Sequence, residues 1–214
     1  EAAAAPVAAA STSGTAAVPA VAASAAVHPP VLPFRAGRRL AVVGPHANDR
    51  STILGNYLGQ ICADGFASRA CVTSAFEALA RRNDNGGPAR TTNATGCAVN
   101  STDASGMAAA VAAAAAADAI VFVGGLDVTG VEREGKDRHE IGLPGRQPAL
   151  LRELLALGKP LALVLYHGGV LTLPADILAA PQLALVSAGY PGMYGAAALA
   201  AALLDTDAEP ATNR

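Results

Sequence analysis

Four apolar runs, each followed closely by glycine, govern what this 214-residue chain can fold into. Leu40-Ala41-Val42-Val43 stops at Gly44-Pro45, and Ala119-Ile120-Val121-Phe122-Val123 stops at Gly124-Gly125. Leu161 to Tyr166 runs into His167-Gly168-Gly169, and Leu183 to Val186 ends shortly before Gly189. The runs have strand length and no polar alternation, so both faces of each must be covered, the condition of a parallel sheet. The segments between them carry helical spacing. Val72, Ala75, Phe76 and Leu79 mark a helix over Val72 to Arg82, with Thr73 or Ser74 placed to cap it. Met107 to Ala117 is an Ala-rich helix with Asp103 or Ser105 before it as cap. Pro144 opens a third helix with Leu150, Leu151, Leu154 and Leu155 on one face, stopped by Gly158 and Pro160. Gly195 to Leu204 closes the series. Strands alternating with helices imply right-handed crossovers, so the chain is expected to be α/β: a three-layer sandwich with a mostly parallel sheet flanked by helices.

Residues 1–34 differ in kind. They are an Ala/Pro/Ser/Val/Thr tract whose only Asp, Glu, Lys or Arg is Glu1, and Pro6, Pro19, Pro29, Pro30 and Pro33 interrupt any long helix. Such a stretch lacks the large side chains that offset ordering entropy and reads as a low-complexity linker, leaving residues 35–214 as one α/β domain. The chain does not begin with Met and is expected to be a fragment or a processed product.

Net charge is −2 with pI near 6.1, and the one tight basic cluster, Arg35, Arg38 and Arg39, precedes a strand. This argues against nucleic acid as a partner. The longest apolar run, Met107 to Ala117, is too short to span a membrane. Cys62, Cys71 and Cys97 have no metal-ligand spacing, so no metal is expected; Cys62 and Cys71 flank a short polar loop that a disulfide would close, leaving Cys97 unpaired. Asn93-Ala94-Thr95 and Asn100-Ser101-Thr102 are N-glycosylation sequons in a polar segment, which points to a secreted, glycosylated protein.

Every loop of unusual chemistry follows a strand's C-terminal end, where open parallel sheets bind ligands. Gly44-Pro45-His46-Ala47-Asn48 lacks a phosphate-cradling glycine pattern, and no such pattern follows any strand, so no nucleotide cofactor is expected. His46 and His167 are each a candidate proton carrier or ligand, or a hydrogen-bonded structural residue. Ser187, followed by Ala188-Gly189, is not set as a hydrolase nucleophile elbow. The segment Gly125 to Arg138 crowds Glu132, Arg133, Glu134, Lys136, Asp137 and Arg138 into seven positions after an apolar strand. Carboxylates among cations can be held at different protonation states, as general acid/base catalysis requires; a solvated, salt-bridged loop has the same composition. Tyr190 and Tyr194, in the turn Gly189 to Gly195, can stack on a sugar face or pack.

Taken in order, Leu40 to Ala47, Gly55-Asn56-Tyr57-Leu58-Gly59, Gly125 to Arg138, Leu143 to Leu151, Gly158 to Gly169 and Ala188 to Gly195 resemble the C-terminal α/β domain of family 3 glycoside hydrolases of the β-xylosidase/β-glucosidase type. The resemblance runs from about Leu40 to Leu204. It implies a retaining, exo-acting β-glycosidase with two carboxylates roughly 5 Å apart, acting on a β-linked oligosaccharide or glycoside. The nucleophile, an Asp, would lie on an N-terminal barrel domain that this sequence does not contain. The segment matching Glu132 to Arg138 would supply the acid/base, with Glu134 preferred, Glu132 the alternative, and Asp137, Arg138 and Tyr190 binding substrate or organising the loop. The loop departs from the family pattern by one additional residue around Gly130-Val131, and Asn100 stands in place of a second cysteine. The other reading of the same resemblance is a non-catalytic glycan-binding or structural module.

Overall fold

A computed structural model describes residues 29–65 and 67–205. The stretch assigned above to a low-complexity linker lies, as far as residue 28, outside them. The elements in chain order are β1 (Phe34–Arg35), β2 (Leu40–Val43), a 3-10 turn (Thr52–Leu54), α1 (Ala75–Asp84), β3 (Thr91–Ala94), α2 (Met107–Ala116), β4 (Ala119–Gly125), α3 (Gln147–Leu155), β5 (Leu161–Tyr166), α4 (Ala175–Leu178), β6 (Leu183–Ser187), α5 (Gly195–Leu203) and β7 (Leu204–Asp205). A five-stranded sheet runs in the order β3-β2-β4-β5-β6 with every pair parallel, and β1 pairs with β7 apart from it.

Alternate residues of each central strand feed opposite faces. Leu40, Val42, Val121, Val123, Ala162, Val164 and Tyr166 pack with Ala75, Ala78 and Leu79 of α1 and with Ala196, Leu199, Ala200 and Leu203 of α5. Ala41, Val43, Ile120, Phe122, Leu161, Leu163 and Leu165 pack with Ala110 and Ala114 of α2 and with Leu150, Leu151 and Leu154 of α3. The result is the three-layer sandwich. At about 1.5–3 kcal/mol for each fully buried large aliphatic or aromatic side chain, these two clusters carry most of the folding drive. Among the described residues no helix is long and apolar enough to cross a membrane.

Local signals placed some boundaries and misplaced others. Ser74 caps α1 through a capping box: its hydroxyl accepts from the Glu77 N–H at 3.2 Å while Glu77 accepts from the Ser74 N–H at 2.9 Å. Neither Asp103 nor Ser105 caps α2. Asp103 instead closes a turn of its own onto the Ser105 N–H and hydroxyl, and the cap position falls to Gly106. Pro144 lies before α3 rather than at its start, and Pro148 occupies its first turn. Strand β3 is the largest addition, since four sheet strands were expected. Its Thr91-Thr92-Asn93-Ala94 has no apolar run, but it is an edge strand held through side chains: buried Asn83 donates to Thr91 Oγ1 and to the Arg38 carbonyl, both at 2.9 Å. Cys62 and Cys71 are joined, and Cys97 is free and buried, which pushes its thiol up to about 11.

Gly125, at the end of β4, starts the charged loop. A Cβ there would stand 2.1 Å from the Tyr166 carbonyl oxygen, and the residue has φ +119°. No other residue fits so close to a neighbouring strand in that conformation. The loop therefore leaves the sheet directly beside the end of β5.

Candidate active site

The loop after β4 is built on its own aspartate. Leu126 is fully buried and donates its N–H to the Tyr166 carbonyl at 2.8 Å. Asp127 Oδ1 then accepts from the Gly130 and Val131 N–H groups at 2.5 and 2.9 Å, and its carbonyl accepts from the Glu132 N–H at 3.0 Å. This turn swings the chain back toward the sheet and delivers Glu132 to the ends of β5 and β6. Asp127 was not singled out in the sequence. Asp137, which was, is exposed and makes no side-chain hydrogen bond or ion pair among the described residues.

Glu132 is committed on both oxygens. Oε1 accepts from the Gly168 N–H at 2.7 Å and from the Tyr190 hydroxyl at 2.9 Å, while Oε2 faces Arg138 Nε at 3.1 Å. Both side chains of that pair are largely shielded, at 15% and 11% exposure, where a charge-assisted bond is worth more than at the surface. Arg138 also donates to the carbonyls of Val170 and Glu140, so one guanidinium ties three segments together. Burial, and then the bond to Glu132, push the Tyr190 phenol up, which keeps it a protonated donor.

Glu134 is the opposite case. Arg133 and Lys136 exchange backbone bonds at 3.2 and 2.9 Å, so Glu134 and Gly135 form the tip of a two-residue turn in which Gly135 takes φ +73°. Glu134 is exposed and has no hydrogen-bond or ion-pair partner among the described residues. Both glutamates line a cavity of about 580 Å³, whose other walls include Asn56, Tyr57, Gly168 and Tyr190. Tyr57 is 79% exposed at its rim. Of the two tyrosines of the final turn, Tyr190 joins this cavity through its bond to Glu132, whereas Tyr194 stands 78% exposed before α5.

His46 and His167 are braces. His46 is 2% exposed, lies against Tyr166 with ring centroids 5.4 Å apart, and donates from Nε2 to the Leu126 carbonyl at 2.9 Å. His167 donates from Nδ1 to the Gly169 carbonyl at 2.9 Å and accepts the Ser187 hydroxyl proton on Nε2 at 2.8 Å, which joins the ends of β5 and β6. Burial is the leading influence on His46 and lowers its pKa against the opposing effect of Asp49. A folded-state value below the ordinary 6.5 means that the unfolded chain binds the proton more readily. The domain should therefore lose stability as pH falls below about 6.5, and His46→Gln should flatten that part of a urea-midpoint-against-pH curve while lowering it overall.

The chain is similar to known proteins over most of its length. Residues 28–212 match the model of the glycosyl hydrolase family 3 C-terminal domain. An exo-1,4-beta-xylosidase of Emericella nidulans is 38% identical over 166 residues, covering 78% of this chain and 20% of that protein. A beta-D-xylosidase of Arabidopsis thaliana is 38% identical over 172 residues with the same two coverages. Among solved structures, a GH3 exo-beta-xylosidase in complex with a xylobiose aziridine activity-based probe matches at 33% identity and TM-score 0.65, over 79% of this chain and 20% of that one. A beta-glucosidase involved in saponin metabolism from intestinal bacteria matches at 27% identity and TM-score 0.68. The chain thus spans about a fifth of the length of the curated relatives it matches.

Proposed function

This chain belongs to glycosyl hydrolase family 3, as its C-terminal domain, and from that premise we propose that it forms one wall of the active-site cleft of a retaining, exo-acting β-glycosidase of the β-xylosidase/β-glucosidase kind. The other wall, with the carboxylate nucleophile, belongs to a barrel domain joined to it. In this reading Glu134 is the acid/base: it protonates the leaving oxygen as the sugar is transferred to the nucleophile, then takes a proton from the water that releases the sugar. The observation that carries the assignment is the contrast between the two glutamates. Glu132 already accepts from a backbone N–H and a phenol and pairs with Arg138. Glu134 has no hydrogen-bond or ion-pair partner among the described residues and stands on the tip of a turn that lines the same cavity.

An acid/base must give its proton up and recover it within one cycle, which a carboxylate engaged on both oxygens does poorly and an unengaged one does readily. Glu132 acts in this reading as the anchor that fixes the height of the turn. Arg138 and Tyr190 hold the anchor, and Tyr57 offers an aromatic face at the rim for the sugar ring. The substrate is a β-linked xyloside or glucoside, by similarity to the relatives' names.

The isolated chain should not hydrolyse nitrophenyl β-xyloside or β-glucoside, because the nucleophile is elsewhere. The parent protein should hydrolyse at least one of them, with the first-formed sugar in the β configuration by proton NMR. Turnover by the purified chain alone, or an α-configured first product from the parent, would overturn the reading. The role of Glu134 is tested separately by its dependence on leaving group.

A further inference from the structure

A second cavity, of about 810 Å³, lies beside the first and shares Lys136, Asp137 and Arg138 with it. The segment from Gly130 to Gly145 forms much of its lining, and Asn100 is part of its wall. Asn100, Asp137, His139 and Glu140 are all exposed there, and none of their side chains makes a hydrogen bond or ion pair among the described residues. Val131, Leu143 and Pro144 add an apolar surface, with Leu143 almost fully buried. Uncommitted hydrogen-bonding groups around an apolar floor match the two kinds of surface on a pyranose ring: hydroxyls at its edge and C–H groups on its faces. The proposed reaction does not use this cavity.

Asn100 is also the acceptor position of the sequon Asn100-Ser101-Thr102. It sits in a turn held firmly on either side. The Val99 carbonyl accepts from Gln147 Nε2 at 2.9 Å, the Thr102 carbonyl accepts from Arg146 Nε at 2.8 Å, and Gly145 packs so close that a Cβ there would stand 2.7 Å from the Ser101 nitrogen. Asn93, the other sequon asparagine, lies in strand β3 and donates its amide to Asn48 Oδ1 at 3.3 Å. The Cys62–Cys71 disulfide is the covalent state of an oxidising compartment, the same one in which sequons are glycosylated. We infer that Asn100 carries an N-linked glycan and that its first sugars lie in the second cavity, against the loop that holds Glu134.

The attachment is a group transfer. The Asn100 amide nitrogen bonds to the anomeric carbon of a lipid-diphosphate-linked oligosaccharide and gives up one of its two protons to a base of the host transferase. The bond from that carbon to the diphosphate oxygen breaks, and the lipid diphosphate leaves with the electron pair. The tethered sugars then meet the uncommitted groups of Asp137, His139 and Glu140. Because those residues belong to the segment that follows the Glu134 turn, an occupied cavity braces the turn from its far side. The glycan is in this sense part of the loop's support.

The test is to secrete the whole chain from a eukaryotic host and map its glycans by peptide mass, with Thr102→Ala and Asn93→Gln as variants. Asn100 should be occupied, emptied by Thr102→Ala, which leaves the Asn100 side chain intact, and unaffected by Asn93→Gln. Hydrogen exchange of the amides in 130–142 should be several-fold slower in the glycosylated protein than in the same protein after enzymatic removal of its glycans. A secreted chain with Asn100 unmodified, or one that never leaves the cell, overturns the site. Occupied Asn100 with identical exchange before and after deglycosylation overturns the seating of the sugars in the cavity.

Discussion

Gln147→Leu should cost the domain about 3–5 kcal/mol, although leucine fits the space left by glutamine and no apolar contact is lost. Gln147 is fully buried at the start of α3. Its Oε1 accepts from the Gly125 N–H at 2.8 Å, and its Nε2 donates to the Gly125 carbonyl at 2.8 Å and to the Val99 carbonyl at 2.9 Å. Gly125 ends β4, and the glutamine holds both of these backbone groups. Leucine would strand one donor and two acceptors away from water, each at roughly 1–3 kcal/mol. Domains of this size are stable by only about 5–15 kcal/mol, so the loss is a large share of the whole. Urea unfolding followed by circular dichroism measures it; a change below about 1 kcal/mol would refute the account. Gln147→Glu separates hydrogen bonding from size. It keeps an acceptor for the Gly125 N–H, buries a charge, and loses both donations, so it should destabilise at least as strongly near neutral pH.

The same residue shows where a sequence stops being readable. A glutamine three positions before Leu150 looks like an ordinary polar helix start, and nothing local says that it points inward. Its partners are 22 and 48 residues away and come from a different strand and a different turn. The central strands were legible because burial on both faces imposes continuous apolar runs, so β2, β4 and β5 lie close to where Leu40, Ala119 and Leu161 start them. β3 was not, because an edge strand can be polar when side chains such as Asn83 anchor it. α4 is a single turn and β1 and β7 have two residues each, below the length at which any periodicity can form.

The candidate site divides along the same line. That a charged loop follows β4 is written in consecutive residues. Which of its glutamates is free depends on a Gly168 N–H 36 residues on and a Tyr190 hydroxyl 58 residues on, brought together only by the parallel order of β4, β5 and β6. Asp127 and Asp137 illustrate the point: one precedes the charged run and the other lies inside it, and only Asp127 accepts from backbone N–H groups among the described residues.

In the parent protein, Glu134→Gln should lower kcat/KM about 10²- to 10⁴-fold on an unactivated β-linked disaccharide and far less on a dinitrophenyl glycoside. The larger figure corresponds to about 5.5 kcal/mol of transition-state stabilisation. A sugar alkoxide is a poor leaving group and must be protonated as the bond breaks, whereas dinitrophenolate leaves unaided. Glutamine matches glutamate in shape but has neither the acidic proton nor the basic carboxylate, so both proton transfers are lost; kcat/KM, which reports the steps up to sugar transfer, isolates the loss of the acid. Folding should be unchanged, since Glu134 is exposed and has no hydrogen-bond or ion-pair partner among the described residues. Glu132→Gln makes the contrast. It weakens the ion pair with Arg138 and leaves a guanidinium of 11% exposure without its carboxylate, so the turn should lose its fixed height. That variant should depress both substrates to a similar degree and lower the unfolding midpoint. The two glutamates are thus separable by the ratio of the two substrates' losses, independently of how large either loss is. A steep leaving-group dependence in Glu132→Gln with none in Glu134→Gln would exchange the roles and make the pinned carboxylate the proton donor.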